Sequence, residues 1–356
     1  MKKTRNGPPP PFSLTYTPAL PELILKLGCT LAVSTYQAGK VVLISAKDEE
    51  SLVQLPRTFA RAMALGVEGE RMAIATKDEV IVLAHSPGLA PRYPKQPDTY
   101  DTLYVPRATY FSGQVDIHGL VWGTEGLWAV VTTFSCLALI DDRHSFVPRW
   151  KPPFITALAS EDRCHLNGLA LDAGSPAYAT ALGTGDTLES WRKGLPRGGV
   201  LFHVPTSEVV LSDLPMPHSP RIYDGTLYML FSATGEVVRV DPAKGTYDVV
   251  TGIEGFVRGM ARLGDHLFVA HSRLRKNSST FKDLPIADKA RTSGVTVIHL
   301  PTGALVGSLR YEASVDEIFD VQVLPGLRRP GILNTQGDVH RLALTTPDAT
   351  FWARKE

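Results

Sequence analysis

The feature that most constrains this chain is a recurrence. Short runs rich in β-branched and aromatic residues come in pairs separated by turn residues, the signature of a hairpin. Seven pairs can be laid under one another: Leu31–Thr35 with Lys40–Ile44, Met72–Thr76 with Glu79–Leu83, Leu127–Val131 with Cys136–Ile140, and Ala177–Ala181 with Gly199–His203. Leu227–Phe231 with Glu236–Val240, Leu267–His271 with Gly294–Ile298, and Gly331–Thr335 with Asp338–Leu342 complete the series. Six of the seven are preceded by a further short strand, opening at Phe59, Asp116, His165, Met216, Phe256 and Asp320. Several are followed by a fourth, as at Ser51–Leu55, Glu208–Leu211, Tyr247–Val250 and Ala304–Leu309.

Four strands repeating at a period of about fifty residues predict the blades of an all-β β-propeller, stacked radially because one blade cannot bury its own faces. The hairpin count gives seven four-stranded blades. The first hairpin lacks an obvious innermost strand, which leaves six open. Residues 1–12 read as a flexible Pro-rich tail, and residues 13–356 as one propeller domain. Leu20–Gly28 predicts a short N-terminal helix closed by its glycine.

Composition narrows the function classes. A net charge of +1 over 356 residues gives no reason to expect nucleic acid or an anionic membrane as partner. No run of about eighteen apolar residues predicts a membrane span, and the N-terminus lacks the apolar segment of a secretory signal. Cys29, Cys136 and Cys164, widely spaced and odd in number, read as reduced core thiols of a cytoplasmic protein. The sequon Asn277-Ser278-Ser279 has no meaning without secretion.

In a propeller the start of each innermost strand and the loop joining strands two and three share one face around the central channel. Counting back from each hairpin therefore collects residues far apart in sequence. One tier is Arg61, His118, Asn167, His218, Arg258 and Gln322; two positions earlier stand Phe59, Asp116, His165, Met216, Phe256 and Asp320. So many ionisable groups are costly to bury unless they are paired or bind something. The hairpin turns add Tyr36, Gln37 and His271, and preceding loops add Glu161–Arg163, Arg221 and Glu317. Two lengthened hairpins, residues 182–198 with Trp191 and residues 272–293 with a candidate short helix at 284–290, are expected to act as lids.

These residues suggest a chemistry. His118, His165, His218 and His271 are the candidate ligands of a divalent metal, with Fe(II) as the candidate ion. Tyr36, Asp116, Glu317 and Asp320 are candidates for proton transfer or for orienting the ligands. Arg61, Arg221 and Arg258, with Asn167, Gln322 and Gln37, are candidates to hold a small carboxylate-bearing or peptidic substrate. The expected function is a metal-dependent oxidoreductase. A metal-free lyase or isomerase with a histidine base, and a protein-interaction platform, stand as alternatives. Each residue also has a structural reading: histidines capping strand ends, arginines pairing with acids between blades.

The segments Leu31–Lys40, Tyr104–Tyr110, Cys164–Gly168, Met216–Arg221 and Glu317–Val323 resemble those of an uncharacterised bacterial β-propeller-like family, sometimes fused to tetratricopeptide repeats. The resemblance covers nearly the whole chain. It implies a cytoplasmic bacterial protein, supplies no reaction, and places its most specific segments on the face just described.

Overall fold

The computed structural model describes residues 7–274 and 280–354. Six sheets form six blades, and blades 2 to 6 each run in chain order from an inner to an outer antiparallel strand. Blade 2 holds Leu65–Glu68, Arg71–Ala75, Glu79–Ser86 and Leu103–Phe111, and blade 3 holds Ile117–Gly123, Gly126–Val131, Cys136–Ile140 and Val147–Trp150. Blade 4 is Leu166–Asp172, Ser175–Ala181, Gly199–His203 and Glu208–Leu214; blade 5 is Pro217–Tyr223, Thr226–Phe231, Glu236–Asp241 and Thr246–Gly252. Blade 6 comprises Phe256–Leu263, His266–Ser272, Ser293–His299 and Ala304–Tyr311.

Blade 1 closes the ring. Its three outer strands, Cys29–Thr35, Lys40–Ala46 and Leu52–Thr58, come from the N-terminal end, and its innermost strand, Asp320–Pro325, comes from the C-terminal end. Asp320 pairs with Ser34 and Pro325 with Cys29. The missing inner strand of the first hairpin is thus the strand that precedes the seventh. The expected count of seven gives way to six because the seventh hairpin is no blade. Gly331–Ile332 adds in parallel to the outer strand of blade 2, and Asp338–Leu342 is a 3₁₀ turn. A small ladder, Ala343–Thr345 with Thr350–Trp352, follows it.

The blades are held face to face by apolar side chains at alternate strand positions. Trp128 and Val130 of blade 3 pack on Leu169, Ala179 and Phe202 of blade 4, all nearly inaccessible to solvent. Near the axis the backbones come too close for a side chain. A Cβ on Gly168 would sit 2.3 Å from Pro220 Cδ in blade 5, and one on Gly259 would sit 2.7 Å from the Asp320 Cα.

The expected helix is present at Leu20–Leu27, and Gly28 ends it in the left-handed conformation with φ 60°. The stretch expected to be mobile, 1–12, lies partly outside the described residues; its end is tied down, with Phe12 N–H donating to Ser314 Oγ at 3.2 Å. Leu14–Tyr16 then adds a fifth strand to blade 6.

The two long insertions meet each other. Trp191 from the first and Leu284, Ile286 and Ala290 from the second form one apolar cluster with Met216 and Phe256. Arg192 donates to Thr280 Oγ1 at 3.2 Å across the seam. Residues 284–290 form turns rather than the expected helix. Asn277-Ser278-Ser279 lies outside the described residues.

Candidate functional site

The inner strands deliver their first side chains to the channel axis, and three histidines there are anchored through Nδ1. On His118, Nδ1 lies 3.0 Å from the Asp116 carbonyl and 2.8 Å from Thr132 Oγ1. Thr132 spends its single hydroxyl proton on the Leu166 carbonyl at 2.6 Å. The hydroxyl must therefore accept from the ring, so Nδ1 carries the proton and Nε2 keeps its lone pair. His218 repeats the device two blades on: Nδ1 is 3.1 Å from the Met216 carbonyl and 2.8 Å from Ser232 Oγ, which donates to the Val257 carbonyl at 2.6 Å.

His165 is held differently. Its Nδ1–H donates to Asp162 Oδ2 at 2.8 Å, and the Trp191 indole N–H donates to the same oxygen at 3.0 Å. The Trp191 ring lies 4.4 Å from the imidazole, and His118 meets His165 edge-on at 4.8 Å between centroids. Among the described residues the buried Asp162 Oδ1 has no hydrogen-bond partner. The sequence places Asp162 only in a loop three residues before His165; the spacing that makes it the histidine's carboxylate is the signal, and it is read only once His165 is known to turn back on that loop.

Backbone strain marks the same rim. Arg61, Asp116, His165 and Met216 open their inner strands or the loops before them with φ between 48° and 58°, in the left-handed region that non-glycine residues rarely adopt. This shared conformation puts Arg61 in the tier of Asp116 and His165 rather than in that of His118, a correction to the ring deduced from spacing. The Arg61 guanidinium faces the Tyr36 ring at 5.8 Å, and Tyr36 packs toward Phe319. Gln37 is exposed in the first hairpin turn.

Below the rim, His118, Asn167, His218, Arg221, Arg258 and Asp320 line a narrow cavity with about 10 Å³ of room for the centres of water-sized spheres. That is space for about one water. Asn167 accepts from Thr180 Oγ1 at 2.7 Å, but its Nδ2, in a residue only 3% exposed, has no partner among the described residues. Arg258 pairs with Glu317 and lies against Phe256 and Phe319 at 5.1 Å, while its Nε has no partner among the described residues. Arg221 donates to the Leu169 and Pro220 carbonyls. Gln322 donates to the Leu65 carbonyl at 3.0 Å.

Two expected proton-transfer carboxylates are engaged in holding the fold. Glu317 is the ion-pair partner of Arg258. Asp320 Oδ2 accepts from the Leu65 N–H at 3.0 Å and Oδ1 from the Val321 N–H at 2.8 Å, stitching the closing strand to blade 2. His271 is not in this group: it lies at the end of the second strand of blade 6, in a separate hollow with Arg291 and Arg310. Among the described residues no three His, Cys, Asp or Glu side chains converge to hold a metal ion, so the four-histidine set does not assemble.

Burial sets the charges. It pushes His118 and His218 well below the usual imidazole range, with neighbouring His165 and Arg258 respectively adding to the effect, so both rings are neutral. It raises Asp116, which nearby Asp162 raises further and His165 and Arg61 oppose. The Cys164 thiol beside His165 is pushed up to about 12 by burial, as a core thiol would be.

Six blades closed around a polar, strained channel mouth define a β-propeller of the six-bladed class. The chain belongs to the family described as a domain of unknown function, DUF4915, whose model matches residues 18–333. No curated protein matches the sequence. Among solved structures it is similar to a chain of the crystal structure of a nidogen/laminin complex, with TM-score 0.55 and 11% identity over 84% of this chain and 99% of that one. The Neurospora crassa Pan2 WD40 domain gives a TM-score of 0.39 at 12% identity over 69% of this chain and 64% of that one. At such identity the nidogen/laminin likeness is one of fold alone. Among the described residues no helix is long and apolar enough to cross a membrane.

Proposed function

We propose that this propeller is an enzyme that moves a proton on a small carboxylic acid at the channel mouth, with His165 as the acid–base group. The observation that carries the reading is the Asp162–His165 pair. The part-buried Asp162 Oδ2 fixes the Nδ1 proton, so Nε2 is the basic nitrogen and the imidazolium formed on protonation has its counter-charge in place. Neutral His118, edge-on to His165, offers a second Nε2 as hydrogen-bond acceptor. The unpartnered Asn167 Nδ2 and Arg258 Nε supply donors for an anion. The cavity takes only a water-sized group, so the body of the substrate rests on the rim, beneath the Trp191 loop.

The reading is tested by proton exchange. Small 2-hydroxy, 2-amino and 2-oxo acids are incubated with the protein in D₂O, and NMR follows loss of the C2–H signal of the first two classes and of the C3–H signal of the 2-oxo acids. Exchange is expected for at least one acid, is lost in His165→Gln, and persists with chelator. No exchange by the native protein, or undiminished exchange in His165→Gln, would sink the proposal.

A divalent metal, Fe(II) included, is the second reading, favoured by the free Nε2 lone pairs of His118 and His218. Metal analysis of native protein and of the His118→Ala/His218→Ala variant separates the two: stoichiometric metal lost in the variant, with exchange abolished by chelator, selects the metal.

A further inference from the structure

Away from the channel, a larger hollow opens between the end of blade 5 and the outer part of blade 6. Its volume is about 350 Å³, within the range of small-molecule pockets and far larger than the channel cavity. Its cations come from two segments: Lys289 and Arg291 from the end of the second insertion, Arg310 from the outer strand of blade 6. Among the described residues Glu254 is the one carboxylate on its lining. Among the described residues Lys289 and Arg310 make no ion pair or side-chain hydrogen bond, and Arg291 makes only one, from Nε to the Asp288 carbonyl at 2.7 Å. Three cations facing one acid, with two guanidinium forks uncommitted, suit a dianion better than a single carboxylate.

The floor of the hollow is uncharged and polar. Thr296 is 6% exposed and His271 2% exposed. The His271 Nδ1–H points to the Thr292 carbonyl at 3.3 Å, and burial lowers its pKa to about 4, leaving Nε2 an acceptor. An acceptor at depth and cations at the rim ask for a ligand that carries both hydroxyl groups and a phosphate.

We propose that this hollow binds a small soluble phosphomonoester of a polyhydroxy compound, its phosphate on Lys289, Arg291 and Arg310 and its hydroxyls toward His271 and Thr296. The site is independent of the channel reading, since it shares no residue with it.

Calorimetric titration of the full chain with glycerol phosphate, inorganic phosphate and glycerol, at matched ionic strength, tests the assignment. Saturable binding of glycerol phosphate is expected, with inorganic phosphate weaker and glycerol undetected. Arg291→Gln and Arg310→Gln should each weaken it about tenfold or more, the scale of one charge-assisted hydrogen bond. Glu254→Gln, which removes a like charge and leaves the fold intact, should tighten it, and His165→Gln should leave it unchanged. Absence of saturable binding, or affinity unaltered in both arginine variants, overturns the proposal. So does binding confined to phosphatidate-containing vesicles, which would make the hollow a lipid headgroup site.

Discussion

His118 and His218 are held alike, and His165 is held differently. In the first pair the Nδ1–H is shared between a carbonyl two residues back and a hydroxyl just past the end of the next strand, and that hydroxyl passes its own proton to the following blade. Each ring is thereby a rivet between adjacent blades. Its partners are neutral dipoles, which give an imidazolium little support, while burial opposes the charge. His165 instead faces a carboxylate, a partner that gains strength when the ring takes a proton. One residue type on one rim thus does two jobs, and the Nδ1 partner decides which.

The widest separation between those jobs lies in the carboxylate. Asp162→Asn is expected to slow proton exchange about 10³-fold, within the range of losses when an acid–base residue loses its orienting carboxylate. Exchange rates by NMR check it, with circular dichroism to show the fold retained. Exchange within about tenfold of native would make His165 another rivet and dissolve the comparison.

Asp320 is the contrasting acid, spent on backbone N–H groups at ring closure. Asp320→Ala leaves two buried donors unsatisfied and should cost about 2–4 kcal/mol of stability. The urea midpoint reads this directly. A loss confined to activity, with an unchanged midpoint, would move Asp320 from the closure to the chemistry.

How much of this was legible in the sequence follows from what each feature depends on. Blade hairpins are local, so their alternation and turns are written in contiguous residues, and the tier of His118, Asn167 and His218 follows from strand counting. The blade number depends on a pairing between Asp320–Pro325 and Cys29–Thr35, at opposite ends of the chain. Strand spacing carries no record of it, and the C-terminal run Gly331–Leu342 imitates a hairpin. Arg61 slipped a tier because counting assumes ideal strands, whereas the inner strand of blade 2 starts only at Leu65. The roles within the tier were hidden for another reason. Whether a histidine binds metal, rivets blades or takes protons depends on side-chain partners such as Thr132, Ser232 and Asp162, each set by three-dimensional proximity.

The rivets themselves can be removed without touching the histidines. Ser232→Ala and Thr132→Val each delete the hydroxyl that links a ring to the next blade's carbonyl. Each should cost about 1–3 kcal/mol, with Ser232→Ala the larger because its bonds are wholly buried and those of Thr132 only partly so. Equilibrium unfolding checks the order. If Thr132→Val cost more, exposure to the channel would not be what distinguishes the two rivets.

The smallest expected effect lies in the pH dependence. For His118, His218 and His271 the folded-state pKa is depressed, the last to about 4 against an ordinary value of 6.5. Below 6.5 the unfolded chain binds protons that the folded chain refuses, so the stabilising term is complete above that pH and drains away as pH falls toward the folded value. Buried Asp320 acts oppositely: its pKa is raised, so the folded state takes up its proton first and gains as pH falls. For His271 alone the loss is about 1 kcal/mol between about pH 6.5 and 5.5. His271→Gln, which cannot titrate, should flatten the stability profile by that amount. A profile with the native slope would mean that the ring titrates in the folded state as it does in the unfolded chain. Burial alone would then not keep an imidazole neutral in this fold, and the neutrality assigned to His118 and His218 on the same ground would fall with it.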